Sequence, residues 1–399
     1  MAEDAPSRLH RALGVPGATI VGLGAMVGTG AFAVWQPALL RAGSWLLLSL
    51  AIAAIVAALN AVSTARLARV HPEAGGAYAY GRIRVSRGAG ILAGVVFILG
   101  KSASAAAAAL TIGLYLWPQQ QKFVAVAAIL LALAIDLRGI TKTVRVTAIL
   151  VAMVIAVLLV VVTVTVSGAG VDNGPSDVFI SDPGFLGVLT AAGLIFGAFA
   201  GYARVTVLGE EVKQPARTIP RAMVFSFVLV GLLYALLAIS VMVGVRSGVP
   251  IEVAAIESLA AAFGGEGLRL AVVGAAVLAA GAVLLSLIAG VGRTLFAMAS
   301  SGDAPQTFAV VGEHFRVPWR AELVAGIFAV VLTLVGSLPF ALAMSAVLIL
   351  IYYGVAHIAA WNLPSASGIL SRWVPVLGVL GSGAIALSLL VAPWTASRG

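Results

Sequence analysis

The sequence predicts an all-α membrane protein of about eleven transmembrane helices, built as a 5+5 inverted repeat with discontinuous helices 1 and 6. Three observations carry that expectation. First, 61% of the 399 residues are hydrophobic and 10% are charged, with a mean hydropathy of +1.11. Soluble domains carry about 25% charged residues, so this chain cannot cover a water-exposed surface. Second, the apolar residues form continuous runs of the roughly 20 residues a helix needs to cross about 30 Å of hydrocarbon, without the ten-residue alternation of barrel strands. Third, similar glycine-rich stretches recur in the two halves of the chain. With no cysteine, a disulfide scaffold is excluded. The net charge of +9 could suggest nucleic acid, but the basic residues lie scattered in short loops and form no patch.

Taken in order, the spans are expected at 17–40, 44–67, 90–116, 119–136, 146–166, 185–208, 222–245, 270–297, 321–338, 340–361 and 374–391. The fourth has a short apolar stretch, FVAVAAILLALAI. Pro339 in the Ser337-Leu338-Pro339 junction predicts a tight hairpin between the ninth and tenth. Residues 1–14 read as a retained cytoplasmic tail, because the apolar run that follows is too long for a signal-peptide core. Lys and Arg set the orientation. Of 24, Arg41, Lys122, Arg246, Arg269 and Arg398 fall on one side, Lys101 and Arg204 within spans, and the other 17 on the side of the N-terminus. That imbalance predicts a multi-pass protein of the cell membrane with its N-terminus in the cytoplasm.

Spans one and six carry GATIVGLGAMVGTGAF and GLIFGAFAGYARV, and amphipathic loops follow span two (68–89) and span seven (247–268). Residues 15–166 therefore read as one five-helix repeat and 185–361 as its inverted copy, with 374–391 an additional helix in a single membrane domain. Such a pattern points to a secondary transporter whose site lies at the repeat interface; close helix packing is the competing use of glycine. Glycine costs roughly 1 kcal/mol inside a helix. Unwound backbone at that depth is tolerated only where it faces protein or a cavity. Freed amides at a half-helix N-terminus suit a carboxylate, and freed carbonyls at a C-terminus suit an ammonium. An amino acid presents both.

GLGAMVGTGAF resembles the first-helix motif of the amino acid–polyamine–organocation (APC) transporters. Pro72-Glu73-Ala74-Gly75-Gly76-Ala77-Tyr78 resembles that family's P-x-x-G-G-x-Y loop. FGAFAGYARVTVLGEEVKQPARTIPRA is similar to its sixth helix and following loop, and Arg293 with FAMASSGDAP resembles the stretch after its eighth. The resemblance covers nearly the whole chain and implies the LeuT-like fold, rocking between outward and inward states. It implies a substrate site of Met26, Val27, Gly28, Thr29 and Gly30 with Phe196, Gly197, Ala198, Phe199, Ala200 and Gly201. The carboxylate would meet amides at 28–30, and the ammonium carbonyls around Met26 and at 197, 198 and 200. Phe199 and Tyr202 are candidate pocket walls or gates, Tyr202 equally an ordinary lipid- or helix-facing ring. Three departures stand out: Gly197 where the family commonly has an aromatic, Ala203 where it often has an acid, and eleven spans against the usual twelve or more.

Lys101 lies near the midplane of span three, where a charge costs at least about 2.5 kcal/mol. Some proton-coupled relatives place a lysine on the fifth helix, but span five here has none, so Lys101 is the candidate coupling charge; a lysine bound to backbone carbonyls is the alternative. Ser286 is a weaker pointer to a sodium site, since a lone hydroxyl in a helix most often bonds its own backbone. Arg204 and His357, near span ends, can snorkel or pair. Glu210, Glu211 and Arg217 are candidates for a cytoplasmic gate or network, or for a plain solvated loop. The four histidines (10, 71, 314 and 357) have no metal-binding spacing, and no phosphate loop with lysine is present. No catalytic residue, metal or cofactor is expected. The partners expected are an amino acid, a coupling proton (or sodium) and the bilayer, without nucleic acid. The reading is a proton-coupled amino acid importer; a sodium-coupled carrier or exchanger, an ion channel and a non-transporting sensor are the alternatives.

Overall fold

The computed structural model describes residues 13–71, 75–138, 144–168, 183–202, 205, 212–312, 317–363 and 370–392. Among these residues every regular element is helical, and the β-type pairing is a bridge between Leu13 and Val212. Nine helices among them are long and apolar enough to cross a bilayer. The expected spans 17–40 and 321–338 are not of that kind, for different reasons. The ninth is simply a helix of 17 residues; the first is divided.

Span one opens as α1 (Val15–Met26), with Pro16 in its first turn, where its missing N–H costs nothing. It resumes as α2 (Thr29–Ala33) and α3 (Trp35–Ala42). The last two run nearly as one rod across Val34, whose carbonyl accepts from Ala38 N–H at 3.0 Å. Then come α4 (Leu46–Val70), the short α5 (Ala77–Arg84), α6 (Arg87–Leu116), α7 (Gln121–Asp136) and α8 (Val144–Gly168). Ser86 caps α6 by accepting from Ala89 N–H at 3.1 Å.

The second half follows as α9 (Gly184–Phe199), α10 (Pro215–Arg246), α11 (Ala255–Ser300), α12 (Trp319–Val335), α13 (Leu338–Trp361) and α14 (Leu370–Val391). The expected interruption at Ser337-Leu338-Pro339 is present: α12 stops at Val335, and the Ser337 hydroxyl accepts from Phe340 N–H to start α13. α12 packs on α6, α7 and α11 and not on α13 as a tight hairpin would. α11 turns at Gly265, whose φ of 71° is a conformation that side chains disfavour. Arg269 ties the piece before that turn to the long rod after it, pairing with Glu257 and Glu266 at 2.6 Å each.

The centre is built from α6, α11 and α13, with α1 packed on α10 and α8, and α9 on α3 and α4. Alanines let these rods approach: 105–109 of α6 are all buried. The periphery exposes Ile55, Leu131, Ile149, Phe225, Ile327 and Leu380. So much exposed apolar surface suits lipid.

Candidate functional site

The α-helix of span one breaks where the glycines predict. Val27 takes ψ +72° and Gly28 takes φ −135°, ψ −134°, so the ladder stops at Met26 and restarts at Thr29. The Met26 carbonyl accepts from Gly28 N–H and from the Tyr234 hydroxyl of α10, each at 2.8 Å. Both lone pairs of that oxygen are engaged, so the carbonyl expected to face an ammonium is occupied in this conformation. Beyond the break, the N–H groups of Thr29 and Gly30 open a helix, where no intrahelical acceptor exists. Among the described residues the buried Thr29 hydroxyl has no hydrogen-bond partner. A turn on, the Tyr115 hydroxyl of α6 donates to Phe32 O at 3.1 Å.

The second glycine cluster meets the first. A methyl on Gly30 would overlap the Cα and Cβ of Ala198, and one on Gly201 would overlap the Ala25 carbonyl and the Met26 nitrogen. A methyl on Gly28 would strike Val283 of α11. Glycine here serves both readings, interruption in span one and close approach between spans one and six. The α-helical part of span six ends at Phe199 and tightens to a 3₁₀ turn over Ala200–Tyr202. Ala203, Arg204, Glu210 and Glu211 lie outside the described residues. Gly197 is exposed within a buried stretch, and a Cβ added there would have no atom within 4 Å.

Phe196, Phe199 and Tyr202 are completely buried, so none faces lipid. Phe199 stacks on Phe227 at 5.1 Å and meets Tyr234 edge-on at 5.2 Å. Tyr202 packs on Tyr353 of α13 at 5.6 Å, and Phe196 on the same ring at 6.3 Å. The Tyr202 hydroxyl faces Tyr353 and Asn60 without completing a hydrogen bond to either. Asn60 leads on to His357, which does not snorkel. The imidazole is buried, with Nδ1 2.8 Å from the Ser63 hydroxyl and Nε2 2.6 Å from Asn60 Oδ1, and its ring lies against Gly378. An amide oxygen only accepts, so Nε2 donates to Asn60 Oδ1, and the Ser63 hydroxyl can donate to an unprotonated Nδ1. That imidazole is satisfied while neutral.

The other candidates sit apart from the crossing. Lys101 is on α6, its Nζ 5.9 Å from the Phe97 ring centroid, and one turn on Ser104 bonds Ser345 of α13. Ser286, three residues after Val283, is exposed, as is Arg217 near the start of α10. Sequence reasoning missed Tyr234. Its signal was a lone tyrosine in an apolar run, whose hydroxyl must find a partner when buried. It also missed a clasp where two of the motifs meet. Asp303, from the GDAP stretch, accepts from the Tyr78 hydroxyl at 2.8 Å and pairs with Arg87 at 2.7 Å and Arg82 at 3.0 Å. Burial alone would push the Asp303 carboxyl up. Hydrogen bonds from Arg87 and Tyr78 and the charge of Arg82 outweigh it and hold the group below the usual carboxylate range.

A helical membrane protein with a broken first helix crossed by a second glycine-rich one is the architecture of a transporter, and the comparisons agree. The chain superposes on a Na⁺-coupled sialic acid symporter with a TM-score of 0.62 at 13% identity, covering 96% of this chain and 91% of that one. That likeness shows the LeuT-like fold. The family model described as amino acid permease matches residues 13–399, so the chain belongs to the amino acid permeases of the APC family. An uncharacterised transporter of Mycobacterium tuberculosis is 43% identical over 388 residues, 97% of this chain and 88% of the relative. A branched-chain amino acid permease of Bacillus subtilis is 31% identical over 160 residues, 39% of this chain and 33% of that protein.

Proposed function

We propose that this permease imports an amino acid by secondary active transport, moving by alternating access and driven by protons. The interruption at Val27–Gly28 carries the reading, because it leaves helix-start amides and the Thr29 hydroxyl beside the crossing with α9. In this proposal Met26, Val27, Gly28, Thr29 and Gly30 face the substrate backbone from one side. Phe196, Gly197, Ala198, Phe199, Ala200 and Gly201 face it from the other. The space at Gly197 supports room for a side chain, and the glycine segments hold no acidic residue to attract a cationic one. The Met26 carbonyl becomes available to an ammonium when Tyr234 releases it. The two halves, 15–166 and 185–361, are read as inverted repeats with the N-terminus in the cytoplasm. Tyr202, Glu210, Glu211 and Arg217 are assigned to the cytoplasmic gate.

Lys101 is assigned the coupling proton, its ammonium lying beside Phe97 and forming no ion pair among the described residues. A thermal-shift screen of the purified protein against the twenty amino acids, followed by counterflow in proteoliposomes, tests the main reading, since specific binding raises apparent stability. Binding with exchange supports a carrier. Binding without exchange makes the protein a sensor, and currents beyond carrier turnover make it a channel. Lys101→Met is expected to retain counterflow and lose accumulation driven by a pH gradient; full gradient-driven uptake would remove Lys101 from coupling. Sodium-dependent uptake abolished by Ser286→Ala would favour the sodium alternative.

A further inference from the structure

The carboxyl of Glu322 takes no part in the proposed substrate site, and its surroundings suit a proton. Glu322 stands in the first turn of α12 and is 2% exposed, and among the described residues its Oε2 has no hydrogen-bond partner. The Oδ2 of Asp136, the last residue of α7, is likewise buried and unpartnered. α7 packs on α12 here: Leu133, three residues before Asp136, lies against Gly326, four residues after Glu322, which brings the two carboxyl-bearing turns side by side, with Arg293 of α11 next to Gly292. Yet among the described residues neither forms an ion pair, and Arg293 itself is exposed. The helices are pressed together at this point, since a methyl on Gly292 of α11 would overlap the Glu322 stem.

Two ionised carboxylates against one guanidinium leave an uncompensated negative charge. An unpaired buried charge is costly, and a like charge nearby adds to the cost. The dipole at the start of α12 favours a negative group there, but that effect is weak beside desolvation. One proton balances the count. We propose that Glu322 and Asp136 form a proton-binding site in which the pair together holds one proton at neutral pH.

Among the described residues, the other charged groups on the packed elements are engaged, lie elsewhere or are exposed. Lys122, at the opposite end of α7, donates to Leu334 O at 2.7 Å, and Arg320 of α12 donates to the Thr307 hydroxyl at 3.1 Å. On α6, Arg87 pairs with Asp303 and Lys101 lies beside Phe97. Arg138, just beyond α7, is exposed. The site also shares a rod with the break in span one: Val283, packed on Gly28, lies nine residues before Gly292, roughly 14 Å along α11 at 1.5 Å per residue.

Infrared spectroscopy of the full chain in a maltoside detergent, which carries no ester carbonyl, titrated with acid and base, tests this without a transport assay, so it stands or falls separately from the transport reading. The carboxyl background then comes only from the 15 Asp and Glu of the chain. The expected result is a protonated-carboxyl C=O band at pH 7 that is lost in Glu322→Gln. In Asp136→Asn, removing the neighbouring charge makes Glu322 easier to ionise, so its titration midpoint falls by on the order of one pH unit. Asp136→Asn carries the test alone if Glu322→Gln does not fold. No such band at pH 7, a band that Glu322→Gln leaves intact, or a midpoint that rises in Asp136→Asn overturns the proposal.

Discussion

At the crossing of α1 and α9, Gly30 lies against Ala198 and Gly201 against the Ala25 carbonyl, while at the arginine-rich end Tyr78, Arg82 and Arg87 converge on Asp303. Both contacts join the two halves of the chain. The first is made by the absence of side chains: backbone meets backbone, and the polar help at Met26 is one tyrosine hydroxyl. The second is made of long, partly exposed arginines around a buried carboxylate. A steric contact has one tolerated geometry, because interiors pack like crystals and do not deform continuously. A charged clasp can part and re-form as water replaces its partners. The centre is thus held by steric fit and the end by charge.

Gly30→Val should break the comparison hardest. Its added carbons meet the Ala198 backbone, which cannot rotate away, so a loss of about 3 kcal/mol is expected, together with loss of any amino acid binding. Thermal unfolding in detergent measures it, and Ala198→Gly should restore part of the loss; a normally stable Gly30→Val would mean the crossing is looser than its geometry. Asp303→Asn comes next. It removes a charge-assisted acceptor from three donors, at a cost of about 2 kcal/mol, and the effect should shrink in high salt while that of Gly30→Val does not.

The clasp also has a pH signature. The Asp303 carboxyl is held below its ordinary value, so its stabilisation is complete above the unfolded carboxylate value of about 3.9. It is lost as pH falls through the lower folded value. The wild-type protein should therefore lose more stability than Asp303→Asn on acidification below that point; parallel curves would show that the carboxylate contributes nothing. Tyr234→Phe is the mildest change. The Met26 carbonyl keeps its bond from Gly28 N–H, so about 1 kcal/mol should be lost. Substrate affinity should rise if that carbonyl serves the ammonium, and unchanged affinity would separate Tyr234 from recognition.

Much of the plan was legible in the chain. Helix-forming apolar runs predict spans without knowledge of their neighbours, because in hydrocarbon every backbone group must be satisfied within its own helix. The junction at Ser337–Pro339 and the break in GAMVGTG were readable for the same local reason. The count of eleven was less so. Whether a segment such as Trp319–Val335 spans depends on packing and tilt, and its apolar content does not settle that.

Partnerships between distant residues were not readable. The sequence left His357 free to snorkel or to pair, and only the structure names its partners, Ser63 and Asn60 of α4. It treated Met26 O as a free acceptor, and a hydroxyl 208 residues away takes it. Tyr78 and Asp303 stood in separate motifs with nothing to link them. By itself, then, the sequence determined the membrane environment, the helical spans, the family and the weak point of the first helix, all consequences of local composition and backbone chemistry. The tertiary structure decided which buried polar groups are satisfied and which, like Glu322 and Thr29, are left wanting, because a hydrogen-bond partner is a matter of three-dimensional position that no spacing along the chain encodes.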